Sequence, residues 1–297
     1  HIVGKVIVDS LTMHRPTGDY LIKEMALYAS DPEDKMLSLK SDFMDATVRG
    51  MFTYRSLMSS LLGHLHHSLP SLCYGQSHIH AETDNLCLIN IGVYNTEPLR
   101  ELFLIPVSIG SKAQCDILIN DAASEFKATA SVPHLEYDNN TLQGISLDCH
   151  SQKQGVDLYA GATLNNEGTP AVTASLVTQA TDDQINLGAL WNSNPTGMFE
   201  GTFHTRAAFA LDKNGKLTAA IATDSTQATL SHSVWHLAPF NMDISPERIL
   251  IDGLHFANTA TQHLSANGVI DKQGSDTLQV EFTGLDLGYL LSFVKLG

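Results

Sequence analysis

Charged side chains are scarce in this sequence. Asp, Glu, Lys and Arg together make up 16% of its 297 residues, while Thr, Ser, Asn, Gln and Gly are abundant. Helical proteins normally contain more Glu, Lys and Arg, whereas Thr favours strands and Asn and Gly favour turns. The composition therefore favours a protein of strands and turns, and its 43% of hydrophobic residues can form a sizeable core.

Basic residues are the rarer of the two charged classes. The chain has 17 Lys and Arg against 32 Asp and Glu, which gives a formal net charge of −15 at pH 7. A chain this acidic repels nucleic acid and anionic lipid headgroups. We therefore expect no nucleic-acid partner and no membrane-surface role that depends on charge.

Long apolar runs are also lacking. No window reaches the ~18 consecutive apolar residues of a membrane-spanning helix, and no basic region followed by an apolar run begins the sequence. A strand-like pattern is already present at Val3, and the final residues have the pattern of a helix that has just begun. We expect the sequence to be a section of a longer chain.

Cysteine is limited to Cys73, Cys87, Cys115 and Cys149, at separations of 14, 28 and 34 residues. Zinc fingers and ribbons need closely spaced pairs, so this pattern does not predict such a site. Thiols buried on strands are the favoured interpretation. Two disulfides in an oxidising compartment stay open as the alternative.

Motifs for nucleophilic catalysis, phosphate binding and dinucleotide binding are missing. Carboxylate pairs such as Asp182 and Asp183 fall in predicted turns, where solvation explains them. We expect no catalytic residue, no cofactor and no enzymatic activity. A hydrolase whose carboxylates converge on a cleft stays open as a minor alternative.

Histidine is plentiful, with 14 residues, and raises the question of a metal site. His64 and His67 would be neighbours on a helix, and His78 and His80 would share one face of a strand. No Asp or Glu has a comparable spacing to complete the ligand set. We interpret these histidines as polar-face residues and expect no metal.

Alternation of period two is the strongest pattern that the sequence does contain. Between Phe199 and Leu211, odd-numbered positions are mostly apolar and even-numbered positions are mostly polar. This pattern predicts a strand with one dry face, and 13 residues at 3.4 Å each would extend roughly 44 Å. Further strands are predicted around 3–13, 18–29, 35–42, 43–52, 77–82, 86–94, 113–119, 126–132, 142–149, 156–164, 171–178, 185–191, 216–223, 228–237, 248–256, 263–270 and 277–283.

Short polar turns such as "DPEDK", "DNNT" and "DKNGK" separate many of these strands, so neighbours must mostly run antiparallel. We predict an all-β protein, an elongated and curved antiparallel sheet of some fifteen or more strands with a few short helices. Residues 1–75 would hold strands and an amphipathic helix over 54–67, and residues 76–297 would continue the same sheet. Shorter helices are predicted over 96–103, with Thr96 as the cap, and over 287–294.

The dry faces of these strands contain many small residues. Two sheets packed as a sandwich normally fill about 10 Å with bulky Val, Ile and Leu. Small residues on long curved strands leave room instead, and a carbon-lined groove suits acyl chains. The predicted groove lining is Phe199, Phe203, Ala207, Phe209, Leu211, Phe126, Ala128, Ala130, Val132, Val156, Leu158, Ala160, Ala162 and Leu164.

Strand, polar break and Leu-rich helix follow one another in "FMDATVRGMFTYRSLMSSLLGHLHHSLPSL" and in "LQVEFTGLDLGYLLSFV". Together with "NTEPLRELFLIPVSIG" and "LQGISLDCHSQKQGVDLYAGATLN", these segments resemble the AsmA/TamB superfamily. More narrowly, they resemble the TamB-like translocation and assembly module proteins of Gram-negative envelopes. The resemblance is spread over nearly the whole sequence and is carried by pattern, not by an invariant motif.

The resemblance implies a periplasmic section of a protein anchored in the inner membrane. It also implies an elongated sheet curled into a trough with an apolar interior, and an Omp85-type outer-membrane partner bound through a region outside this sequence. The expected ligand is phospholipid or another acyl chain, or an unfolded outer-membrane protein client. The family has no catalytic residues whose roles could be assigned to positions of this sequence.

A surface adhesin or carbohydrate-binding β protein is the main alternative, since it also explains hairpins, polarity and acidity. Such a protein would present aromatic side chains on one platform. The sequence has only two tryptophans, Trp191 and Trp235, and both fall in apolar runs and not on an exposed platform.

Overall fold

The computed structural model describes residues 3–15, 18–30, 35–53, 56–74, 84–98, 100, 106–137, 140–152, 155–195, 197–230, 232–259, 261–272, 274 and 276–284. These residues form twenty β-strands and one α-helix of 13 residues, so the predicted all-β fold is confirmed. Every strand pairing in the two units below is antiparallel, as the short polar turns predicted. The chain divides into two compact units, residues 1–182 and 183–297. The boundary predicted after residue 75 falls at residues 75–83, which lie outside the described residues.

The described part of the first unit contains eleven strands and helix α1. The strands are β1 (Gly4–Arg15), β2 (Gly18–Ala29), β3 (Met36–Ser41), β4 (Met44–Met51), β5 (Leu86–Val93), β6 (Val107–Ile109), β7 (Ala113–Asn120), β8 (Glu125–Tyr137), β9 (Asn140–Gln152), β10 (Gly155–Leu164) and β11 (Ala171–Thr181), and α1 is Ser56–Ser68. Each strand pairs with its neighbour along the chain, except that β6 and β7 share one edge of β8. The first unit is therefore a meander.

Helix α1 forms where the Leu-rich stripe predicts it. The hydroxyl of Thr53 accepts a hydrogen bond from the Ser56 amide at the first turn, at 3.2 Å, and Pro70 follows the helix end. Leu57 and Leu61 pack against a buried cluster of Phe52, Cys87 and Ile119. The helix thus covers part of the dry sheet face. The predicted helix residue Tyr54 lies outside the described residues.

The second predicted helix is seen only in part. Residues 97–98 and 100 are helical, and residues 99 and 101–105 lie outside the described residues, as does the whole of the helix predicted over 287–294. The carbonyl of Thr96 accepts the first intrahelical hydrogen bond, from the Arg100 amide at 2.8 Å, so Thr96 occupies the cap position, as predicted. The side-chain oxygen of Asn95, one residue before the cap, accepts a hydrogen bond from the Glu97 amide at 2.9 Å.

Nine strands lie in the described part of the second unit. They are β12 (Gln184–Asn194), β13 (Phe199–Leu211), β14 (Leu217–Thr223), β15 (Thr226–Leu230), β16 (Ser233–Leu237), β17 (Phe240–Ile244), β18 (Arg248–Thr259), β19 (Gln262–Asp271) and β20 (Gln279–Thr283). Strands β14 and β15 both pair with β13, and strands β16 and β17 both pair with β18. Each of these two pairs is therefore one long strand with an interruption. Pro239, which has no amide hydrogen to donate, separates β16 from β17.

Residues 228–237 were predicted as one strand, and this prediction is wrong. Leu230 pairs with Ser233 across a two-residue connection, in which His232 adopts a left-handed φ of 67°. The chain therefore reverses at three consecutive polar residues, Ser231, His232 and Ser233, which lie between the two apolar runs. Strands β6 and β17 were not predicted, and the strand predicted over 77–82 lies outside the described residues.

Candidate apolar binding faces

Along β13, exposed and half-buried side chains alternate as the sequence pattern predicts. From Thr202 to Ala210 the even-numbered side chains are exposed, while every odd-numbered residue from Phe199 to Leu211 is half-buried. The predicted lining residues Phe199, Phe203, Ala207, Phe209 and Leu211 therefore lie on one face of the sheet. None of them is fully buried.

The same apolar face continues across the neighbouring strands of the second unit. Ala207 lies opposite Ile185 on one side and Ile221 on the other. Ile221 in turn lies opposite Met242, and Met242 lies opposite Ile251. The register thus aligns apolar residues from five successive strands in one row, which we call the 207 row.

Aromatic side chains lie at the other end of this face. The indole of Trp191 lies over Gly201, its cross-strand partner, where an added Cβ would be 2.5 Å from Cζ2 of the ring. Trp235 stacks on Phe256, with ring centroids 5.0 Å apart and planes 22° apart. Both tryptophans therefore lie on the apolar face and pack against its own residues.

Large side chains of the second unit stay partly accessible. In the described part of this unit, the fully buried residues are Ser193, Thr223, Ala228 and Ala266, all of them small. A second sheet packed on the apolar face would bury its Phe and Ile side chains. The face is therefore a half-exposed apolar surface within its own unit.

The remaining predicted lining residues share one face of the first unit. Cys149 pairs with Ala128 on one side and with Leu158 on the other, which aligns the β8 set with the β10 set. Those sets are Phe126, Ala128, Ala130 and Val132 on β8, and Val156, Leu158, Ala160, Ala162 and Leu164 on β10. All are half-buried except Val156, which is buried. A register shift opposite Gly161 and Thr163 interrupts the alignment near Leu164.

Helix α1 covers one end of this face. The ring of His64 lies 6.1 Å from that of Phe126, at the end of the face marked by Phe126 and Val156.

Three cysteines, Cys87, Cys115 and Cys149, lie on the same face by cross-strand register. All four cysteines of the chain are thiols, although Cys73 lies in the turn after α1 and not on a strand. Burial, reinforced by Asp121, raises the pKa of the Cys87 thiol to about 11.

A buried polar network fixes α1 to the sheet. Asp121 accepts hydrogen bonds from the Asn85 amide at 2.7 Å, from the Asn85 side chain at 2.9 Å and from the Ser60 hydroxyl. Nε2 of His64 lies 3.4 Å from the same carboxylate, and both side chains are over nine-tenths buried. Burial lowers the pKa of His64, although Asp121 acts in the opposite direction. No sequence signal pointed to this network, because Asp121 reads as an ordinary turn residue.

The described residues provide little support for a metal site. They contain no group of three or more His, Cys, Asp and Glu side chains placed to hold a metal ion. His64 belongs to the network with Asp121, and the predicted companions His78 and His80 lie outside the described residues. The carboxylates of Asp182 and Asp183 are in a turn, as predicted, with φ of 51° and 59°.

The polar face of the second unit carries a cavity of about 480 Å³. Its rim includes Gln184, Arg206, Asn241, Asp243 and Asp252, and its floor contains alanines of β13 and β14. The two faces of this sheet therefore differ in chemistry, since one is mostly apolar, apart from the paired Thr205 and Thr223, and the other has a polar recess.

Comparison with protein-family models, curated proteins and solved structures gives no match for this chain. Among the described residues, no helix is long and apolar enough to cross a membrane.

Proposed function

We propose that this chain is a non-enzymatic, periplasmic section of a TamB-like cell-envelope protein, and that its apolar sheet faces bind the acyl chains of phospholipid. In the full-length protein, an inner-membrane anchor and an Omp85-type outer-membrane partner would lie outside this sequence. Lipid would move along a trough lined by these faces, and no covalent bond would change.

One observation carries this proposal, namely the half-exposed apolar face of the second unit. Its rows of Phe, Ile, Met and Ala remain accessible where a globular protein would bury them. Each CH₂ group transferred from water to such a surface gains about 0.8 kcal/mol, so a lipid tail would bind without any polar contact. The net charge of −15 opposes binding of anionic headgroups by charge, so the acyl chain must supply the affinity.

An unfolded strand of an outer-membrane protein is the other ligand compatible with this face. The alternating apolar side chains of such a client would pack against the apolar face. Lipid is favoured because the face is mostly apolar, whereas a peptide would also need partners for its backbone groups.

A polar ligand such as a carbohydrate is a second candidate, favoured by the cavity on the opposite face of the second unit. Its rim of amide, carboxylate and guanidinium groups could bind hydroxyl groups. Both tryptophans, however, lie on the apolar face, so this cavity has no tryptophan platform for a sugar ring.

Two adjacent alanines of β13 provide a matched test. Ala207 is half-buried on the apolar face, and Ala208 is exposed on the polar face. Native mass spectrometry of the purified chain, followed by titration with a fluorescent fatty acid, would measure acyl-chain binding. We expect Ala207→Asp to weaken binding at least about tenfold, because a charge enters the apolar surface, and Ala208→Asp to leave it unchanged.

A chain that carries no lipid and takes up no fatty acid would contradict the proposal. Equal effects of the two substitutions would contradict the assignment of the binding face. Binding of an oligosaccharide that Ala208→Asp abolishes would instead support the carbohydrate candidate.

A further inference from the structure

Helix α1 carries a polar stripe beside its apolar one. Four residues at intervals of three and four lie on one side of the helix, namely Ser60, Gly63, His64 and His67. These four residues, with Asp121, Ser124 and Ser151 from the sheet and its turns, line a cavity of about 160 Å³. We call it the His64 cavity.

A buried nitrogen atom in this cavity has no hydrogen-bond partner. The side chain of His64 is over nine-tenths buried, and its Nε2 atom forms no hydrogen bond, although a carboxylate oxygen of Asp121 lies 3.4 Å away. Burying a polar group without a partner costs stability, and most buried polar groups in native proteins have one. A bound ligand that supplies the missing partner explains this arrangement.

The cavity offers two hydrogen-bond donors to such a ligand. Burial lowers the pKa of His64, so its ring is neutral at pH 7. The tautomer with hydrogen on Nε2 is favoured, because a lone pair there would face the Asp121 carboxylate. The Ser151 hydroxyl accepts a hydrogen bond from the Phe126 amide at 3.1 Å, and in the described part of the chain no acceptor takes its own hydrogen. One ligand oxygen could therefore accept from both His64 and Ser151.

A negatively charged oxygen does not suit this cavity. An oxygen bonded to Nε2 of His64 would lie close to the carboxylate of Asp121, which is itself over nine-tenths buried. Two negative charges in such a buried environment repel each other strongly. The cavity therefore favours an uncharged ester or hydroxyl oxygen over a carboxylate or a phosphate.

The His64 cavity adjoins the apolar face of the first unit. Ser151 lies between Phe126 on β8 and Val156 on β10, in the row that marks one end of that face. Cys149, two residues before Ser151 on β9, belongs to the face itself. An acyl chain that lies along this face can therefore place its polar end in the cavity.

The size of the cavity limits the polar end that it can hold. A cavity of about 150 Å³ accommodates one molecule of benzene, and glycerol is of similar size. A glyceryl ester therefore fits, whereas a complete phospholipid headgroup does not. The phosphate of a phospholipid would stay outside, beyond the exposed residues His67 and Ser124.

We propose that the His64 cavity binds the uncharged glyceryl ester end of an acyl lipid, whose oxygen atoms accept hydrogen bonds from His64 and Ser151. The acyl chain extends from the cavity past Phe126 and Val156 along the apolar face. This assignment rests on the proposed binding of acyl chains and adds the orientation of the lipid on the first unit.

Protection of Cys149 from iodoacetamide reports on ligand bound to the first unit. Titration of the full chain with monopalmitoylglycerol and, separately, with palmitate gives the concentration of each that halves the alkylation rate of Cys149. The two ligands share one acyl chain, so the ratio of these concentrations measures the preference for the uncharged end. We expect monopalmitoylglycerol to act at a concentration at least about tenfold lower than palmitate.

Two variants test whether the cavity causes this preference. His64→Phe removes the Nε2 donor and keeps an aromatic ring, while Gly63→Leu fills the cavity at a position where an added Cβ would meet no atom within 4 Å. Each should lower the ratio at least about fivefold. Leucine favours a helix more than glycine does, so Gly63→Leu should keep α1 folded. His66→Phe makes the matched exchange on α1 outside the cavity and should keep the ratio of the parent chain.

A parent chain that binds palmitate as tightly as monopalmitoylglycerol would overturn the proposal, and so would a preference that either variant retains in full. Protection by neither ligand would also overturn it, because no lipid would then lie on the first unit. These outcomes leave the proposed function intact if Ala207→Asp still weakens fatty-acid binding by the whole chain. A chain that binds no acyl ligand in either measurement contradicts both proposals.

Discussion

The indole of Trp191 occupies the space that a side chain at position 201 would need. A Cβ at Gly201 would lie 2.5 Å from Cζ2 of the ring and 3.1 Å from the Cα of Ala228. Glycine is therefore required here by the close approach of an aromatic ring from the paired strand. The tryptophan in turn covers the backbone that glycine leaves bare.

Gly201→Ala should destabilise the second unit by about 1–3 kcal/mol, because the added methyl group overpacks the indole. Urea denaturation followed by circular dichroism, which reports on the strands of both units, would measure the change. Trp191→Leu in the same chain should recover part of the loss. Gly161→Ala serves as the control, since its added Cβ would meet ordinary contacts at 3.5 Å or more; equal losses at both sites would contradict the role of Trp191.

Asp121→Ala should cost about 3 kcal/mol in the unfolding free energy of the first unit. The substitution leaves the Asn85 amide, the Asn85 side chain and the Ser60 hydroxyl without their acceptor. Chemical denaturation would measure the loss. Asp116→Ala removes an exposed carboxylate from the adjoining strand and should change stability by less than about 0.5 kcal/mol. Comparable losses for the two variants would show that the network does not anchor α1.

Acidification should loosen the contact of α1 with the sheet. Because burial lowers the pKa of His64 in the folded chain, the unfolded chain binds the proton more readily. The stability from the neutral ring is therefore complete above pH 6.5 and declines as the pH falls through the lowered pKa. Thermal unfolding between pH 8 and 5 should show a steeper loss for the parent chain than for His64→Gln.

His67 provides the control for this pH dependence. It is exposed, one turn of α1 after His64. His67→Gln should keep most of the steep loss of the parent chain, because burial is the largest cause of the lowered pKa of His64 and the charge of His67 is the smallest. A profile for His64→Gln identical to that of the parent would contradict the assignment to His64.

Acyl-chain binding should protect thiols of the first unit from alkylation. Cys115 and Cys149 are half-buried on the apolar face, and burial raises the pKa of both thiols. A fatty acid bound to that face should slow their reaction with iodoacetamide several-fold, read out by peptide mass spectrometry. Cys87, which is buried and has a pKa of about 11, should react slowly with or without ligand. Unchanged rates at Cys115 and Cys149 would show that the first unit does not bind acyl chains.

Much of the strand arrangement could be predicted from the sequence because a strand repeats every two residues. Alternation placed β13 at Phe199–Leu211, the bounds that the structure shows. Alternation did not reveal the reversal within 228–237, because Ser231, His232 and Ser233 are weaker turn signals than Gly, Pro, Asn or Asp. It also missed β17, because Pro239 interrupts a pairing that only the partner strand β18 reveals.

By itself, the sequence determined which side chains share a face along each strand, since alternation is a local property of extended backbone. Only the tertiary structure decided which faces meet and which groups come together. Ser60 and Asp121 are 61 residues apart, and Asn85 and Asp121 are 36 apart, so their network depends on the register of distant strands. The requirement for glycine at position 201 also comes from tertiary structure. Alternation placed Gly201 on the dry face, but only the pairing of β12 with β13 brings the Trp191 ring over it and excludes a side chain there.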